Sequence, residues 1–288
     1  MSRFRISGEV FVFLGAFCWS LCSPIVKFLS MDTFLILALR SVFAFAALAA
    51  FVRPKKLNWN GWMLLYLCSY TALTIGIVSA LTMTSSAIAL GLQNTALIWL
   101  SLLIFLQTRR FDKKLFAPVA VILVGVALFM STGTGGSDSL GNLIALTGGI
   151  SYACMTLSAG KAAGDNPIGL TAIANLFSVI VLVLLFPDRM AGITEMRGIE
   201  WGLVALSGVV QVGGGYTFYN MGLRSVAPQK ASIIALWEMV MGPLWVALFL
   251  GEYPAVIEVV ALAIIMLGII MDSKMNAPAA SVPQDTVS

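Results

Sequence analysis

The 288-residue chain contains no histidine. That absence removes the side chain best suited to proton transfer near neutral pH and the commonest metal ligand, and with them HExxH-type intramembrane proteases. Charge is scarce as well. The 17 basic and 13 acidic residues amount to 10% of the chain, where a soluble domain carries about a quarter. With 59% hydrophobic residues, such a chain is not a water-soluble fold. Four cysteines, Cys18, Cys22, Cys68 and Cys154, lie inside apolar runs and none forms a C-x-x-C pair; they read as small apolar fillers, not as redox or zinc ligands. No metal site, cofactor or enzymatic centre is expected. The net charge of +4 is spread over short segments between apolar runs, which points to membrane topology and away from nucleic acid.

What is present is a succession of apolar runs, each of about the 20 residues that one helical crossing needs. The uncharged stretch 57–108 is too long for one helix and is interrupted by Thr82-Met83-Thr84-Ser85-Ser86, the mark of a tight hairpin of two helices. The expected spans are 8–29, 33–52, 61–82, 85–106, 115–132, 140–161, 168–187, 200–222, 227–250 and 254–272. The apolar run after Met1–Ala16 continues through Trp19 to Val26 without a small-residue cleavage site, so the first helix is expected to be uncleaved. Residues 273–288 are expected to form a disordered cytoplasmic tail.

Placing the N-terminus in the cytoplasm gathers Arg3, Arg5, Arg53, Lys55, Lys56, Arg109, Arg110, Lys113, Lys114, Lys161, Arg224, Lys230 and Lys274 on one side of the membrane. Arg189, Arg197 and, at a helix end, Lys27 fall on the other. This is the asymmetry of the positive-inside rule, and it predicts that both termini and the 53–56 and 109–114 loops are cytoplasmic, with the 133–139 loop outside.

The two halves repeat. Gly8-x6-Gly15-x3-Trp19 aligns with Gly141-x6-Gly148-x3-Tyr152 at an offset of 133, Ala87 to Thr108 aligns with Ala231 to Glu252 at 144, and Gly125 meets Gly268 at 143. The sequence therefore predicts an all-α integral membrane protein of ten transmembrane helices in two five-helix repeats, 1–132 and 140–272. Five is odd, so the second copy enters the membrane inverted, the arrangement that underlies alternating access.

The pattern Gly15-x3-Trp19-x4-Pro24-x2-Lys27, the following Arg40, and the run Ala227 to Glu252 with Pro243 nine residues before Gly251-Glu252 resemble the drug/metabolite transporter superfamily of the EamA type. The resemblance covers about residues 8–272 and is closest to the bacterial aromatic amino-acid exporters. It implies a ten-helix carrier of the bacterial cytoplasmic (inner) membrane, monomeric or weakly dimeric. Helices one to four and six to nine then surround a central cavity, with the fifth and tenth peripheral. The sequence departs from the family where Ser20 replaces the glycine often found after the tryptophan, and where Trp99 and Thr108 stand opposite Pro243 and Glu252.

Ionisable groups inside a bilayer are costly and so mark functional positions. Glu238 lies near the midplane, about 16 Å into its span, and Arg40 about 10 Å from the outer edge. For Glu238 the residues leave open a counter-charge for a substrate ammonium, a proton carrier, a structural partner for Arg40, or a backbone-bonded carboxylic acid held neutral. Arg40 and Lys27 read as gating or ion-pair residues, although a guanidinium also suits a substrate carboxylate. The repeat sets Gln93-Asn94 opposite Trp237-Glu238, and these, with Ser20 and Ser23, offer donors and acceptors to a zwitterion. Trp19, Tyr70, Tyr152, Tyr216 and Trp237 lie within spans and suit an aromatic pocket; Trp59, Trp62 and Trp201 sit at helix starts as interface anchors. The expected function is alternating-access export of amino acids, aromatic or bulky and apolar. The alternative is broad efflux of cationic or lipophilic drugs, with Glu238 as the cation's partner.

Overall fold

The computed structural model describes residues 7–53, 56–108, 116–132 and 136–276. The described residues fold as helices and connecting turns: α1 Gly8–Ser20, α2 Cys22–Phe28, α3 Thr33–Leu48, α4 Gly61–Met83, α5 Ser86–Gln93, α6 Ala96–Thr108, α7 Phe116–Thr132, α8 Gly136–Ala163, α9 Pro167–Leu185, α10 Gly198–Leu206, α11 Gly215–Gly222, α12 Pro228–Leu250 and α13 Val256–Asn276. Six continuous or nearly continuous stretches are long and apolar enough to cross a membrane: Gly8–Phe28, Thr33–Phe51, Gly61–Met83, Ser139–Ala163, Pro167–Leu185 and Lys230–Leu250. Ser86–Leu100, Ala117–Leu128 and Val256–Met271 are shorter apolar helices. Within the 109–114 loop, the 133–139 loop and the tail, residues 109–115, 133–135 and 277–288 lie outside the described residues, as do Arg3, Arg5 and Lys55. The last helix runs past Ser273 to Asn276.

Local chemistry fixes the helix ends. Asp32 accepts from the backbone N–H groups of Phe34 and Leu35, Asn60 from Trp62 and Met63, Ser85 from Ile88, and Asn166 from Gly169, each satisfying donors that a helix start leaves orphaned. The expected hairpin falls where α4 ends at Met83 and Ser85 caps α5. The first span breaks at Leu21, because the ring of Pro24 collides with the carbonyl four residues back, at Ser20, and Pro24 has no N–H to offer it. Pro243 lies inside α12 and withdraws the usual hydrogen bond from the Met239 carbonyl. Between α10 and α11, Ser207–Gly214 winds as a π-helix.

α4 packs on α8, α1 on α11 and α12, α3 on α9, α5 on α12, and α7 on α13. The outside is apolar, with Leu184, Leu248 and Phe249 largely exposed, whereas Asn142, Asn175 and Asn220 are buried. This inversion of the soluble pattern suits a hydrocarbon solvent.

The two ends of the bundle are tied differently. At the N-terminal face, the 56–60 loop is clasped to the α8–α9 turn by backbone bonds from Asn58 to Ala162 and from Asp165 to Lys56. Arg224 pairs with Asp165, and Lys230 with Glu9. Gly164, at φ +52°, lets the turn come so close that an added Cβ would lie 2.4 Å from the Lys56 carbonyl oxygen. At the opposite face, side-chain ion pairs join Lys27 to Glu252 at 2.9 Å and Arg189 to Asp32 at 3.2 Å.

Candidate substrate cavity

A small cavity lies where the interrupted helices meet. Trp19 and Cys22 flank the α1–α2 break, Gln93 ends α5, Gln211 rides on the π-helical turn, and Glu238 stands five residues before Pro243. Arg40 comes from α3, Leu73 and Ile77 from α4, Tyr152 from α8 and Tyr216 from α11. Breaks and wide turns leave backbone and polar side chains free to face a ligand, as at the midplane sites of carriers. In this conformation the cavity has closed to about 10 Å³, the room of about one water.

Its walls are aromatic. Trp19 stacks obliquely on Tyr216 and Tyr219, each at 4.7 Å between ring centroids, and meets Tyr152 edge-on at 6.0 Å. Gly215 makes this possible, since a Cβ there would sit 2.5 Å from the indole. Tyr70 packs behind Tyr216 at 4.6 Å and donates to Asn175 Oδ1, and Tyr66 accepts from Asn220.

Polar groups around the cavity lack partners. Trp19 Nε1, Arg40 Nε, Gln93 Oε1 and Tyr152 OH are buried without a hydrogen bond. Glu238, 4% exposed, makes neither a hydrogen bond nor an ion pair with the described residues. Among the described residues, the Arg40 guanidinium, in a side chain 1% exposed, donates to Cys22 Sγ at 3.4 Å and Gln211 Oε1 at 3.5 Å and to no other side chain. An arginine and a glutamate thus border one cavity without pairing with each other. Buried polar atoms are normally satisfied, so a set of orphans around one space makes that space the candidate site.

The expected site residues divide. Trp19, Gln93, Tyr152, Tyr216 and Glu238 line the cavity, and Arg40 joins them. Trp237 does not: it is 51% exposed and packs edge-on against Phe13 at the bundle surface. Adjacent helical residues point about 100° apart, so turning Glu238 inward turns Trp237 outward. Tyr70 stands one layer back. Asn94 bonds the Leu90 carbonyl, and Ser20 bonds the Phe17 carbonyl and receives Trp245 Nε1, so both are committed within the protein. Ser23 is buried with an unpartnered hydroxyl close to Gly242, away from the lining. Lys27 serves the ion pair with Glu252. Gln211 escaped the sequence reading because a lone glutamine in a glycine-rich apolar run carries no periodic signal.

No curated protein matches the chain. A crystal structure with 18% identity superposes with a TM-score of 0.64 over 93% of this chain and 96% of that one, a likeness of fold. Residues 139–273 match the EamA-like transporter family. The second half of this multi-pass membrane protein thus resembles an EamA-like transporter domain.

Proposed function

We propose that the protein is an alternating-access carrier that exports amino acids with aromatic or bulky apolar side chains, through ten crossings arranged as two inverted repeats. The orphaned polar atoms of the cavity carry this reading. Arg40 Nε, Trp19 Nε1 and Tyr152 OH are donors suited to a carboxylate, Glu238 and Gln93 Oε1 are acceptors suited to an ammonium, and aromatic rings flank both. A lipophilic cation would use Glu238 and leave the buried guanidinium without a counter-charge, which is costly.

Reciprocal glycine contacts support the repeat. An added Cβ on Gly125 would meet Ile265 and the Ala261 carbonyl, and one on Gly268 would meet Ile122 and the Pro118 carbonyl; every counterpart is 143 residues away. Gly8 abuts Gly222 as Gly141 abuts Met83, and Gly15 approaches Gly215 as Gly76 approaches Gly148. Trp19 and Tyr152, counterparts at 133, meet at the cavity, where a two-fold axis in the membrane plane would pass. The basic clasp at the N-terminal face, with Lys56, Lys161, Arg224 and Lys230, supports a cytoplasmic position for that face.

The test is binding of labelled phenylalanine to the purified protein in detergent. Unlabelled phenylalanine and tryptophan should displace it, whereas phenethylamine and 3-phenylpropanoate, each lacking one charge, should compete at least about tenfold less well, the loss of one charge-assisted contact. Equal competition by phenethylamine would favour the drug-efflux reading.

A further inference from the structure

Arg40 is held by a neutral side chain where a carboxylate would be the natural partner. The π-helical turn docks on α3 at Arg40 itself: a Cβ on Gly208 would come within 2.5 Å of the Arg40 carbonyl oxygen and 2.6 Å of Phe43 Cβ. This contact delivers Gln211, whose Oε1 accepts from Ser207 Oγ at 3.0 Å and faces Arg40 Nη1 at 3.5 Å. The widened turn matters, because an α-helical register over Ser207–Gly214 would rotate Gln211 relative to the docked Gly208. Arg40 Nε remains unpartnered, and among the described residues no carboxylate oxygen lies within 4.0 Å of the guanidinium.

We infer that Gln211 is the specificity-determining residue of the carrier, positioning Arg40 while leaving its charge uncommitted, so that the cavity accepts a ligand carboxylate. This rests on the amino-acid reading above. A glutamine supplies an acceptor that orients the guanidinium without neutralising it. A glutamate at the same place would satisfy Arg40 internally, and the remaining acceptors, Glu238 and Gln93 Oε1, would then select for a cation alone.

Gln211→Glu and Gln211→Met are compared with the unaltered protein by equilibrium binding of labelled phenylalanine and labelled phenethylamine to the purified chain. Wild type should prefer phenylalanine. In Gln211→Glu the ratio of phenylalanine to phenethylamine affinity should fall by at least about tenfold, as a bidentate arginine–carboxylate pair forms inside the protein. In Gln211→Met, which keeps the shape but removes the acceptor, phenylalanine affinity should fall about threefold or more while phenethylamine stays within about twofold. A structural effect without charge selection would lower both affinities equally and leave their ratio unchanged, which would overturn the role of Gln211. An unchanged preference in Gln211→Glu with wild type still favouring phenylalanine would overturn the role of Gln211 and leave the amino-acid reading standing. Should Gln211→Glu not fold, unchanged phenylalanine affinity in Gln211→Met would overturn it instead. Wild type that binds neither ligand, or prefers the amine, would overturn both.

Discussion

Single residues divide the site from its scaffold. Glu238 is buried beside Tyr152 and Gln93 without a partner, so its carboxylate is expected to meet the substrate ammonium. Glu238→Gln should weaken phenylalanine binding by about tenfold or more, while any dependence of transport on a pH gradient stays as in wild type; a proton carrier would show the reverse. The two tryptophans make a paired prediction. Trp19→Ala removes a ring packed on three tyrosines and should abolish high-affinity binding while destabilising the fold by about 3–5 kcal/mol. Trp237→Ala, at the lipid surface, should leave phenylalanine affinity within about twofold. Titration of binding in detergent and thermal unfolding check both.

At the scale of elements, the hydrophobic run lengths and the polar break at Thr82–Ser86 made the helices legible, because span length is set by the bilayer and caps by short polar side chains. Side-chain direction was less so. Aligning Gln93-Asn94 with Trp237-Glu238 paired two positions that line one cavity, Gln93 and Glu238, but in each pair only one residue reaches it, since neighbouring positions diverge around a helix. The π-helical turn was invisible for another reason: Ser207–Gly214 packs through Gly208 closely on α3, a tertiary contact that no local pattern encodes. The glycine pair Gly125 and Gly268, found from sequence alone, yields an element-scale prediction. If α7 and α13 pack as symmetric counterparts, Gly125→Leu and Gly268→Leu should each destabilise by about 1–3 kcal/mol through overpacking, with similar falls in melting temperature. A large loss for one and none for the other would argue against symmetric packing.

On the scale of the whole molecule, the two faces differ in what holds them. Backbone bonds around Gly164 close the N-terminal face, while the opposite face is joined by side-chain pairs, Lys27 with Glu252 and Arg189 with Asp32. Partly exposed ion pairs are worth about 1 kcal/mol or less, and without a backbone clasp beside them among the described residues that second face is expected to open more easily. Lys27→Gln should therefore increase substrate access from that side, read as faster labelling of a cysteine introduced at Leu73 by a membrane-impermeant reagent. In the proposed cycle one zwitterion site is exposed to each side in turn. Counterflow in liposomes tests it most directly: protein-loaded vesicles filled with unlabelled phenylalanine should accumulate external labelled phenylalanine faster than empty ones, and filling with phenethylamine or 3-phenylpropanoate should give no such stimulation. Uptake that is indifferent to internal phenylalanine, or stimulated equally by the amine, would contradict it.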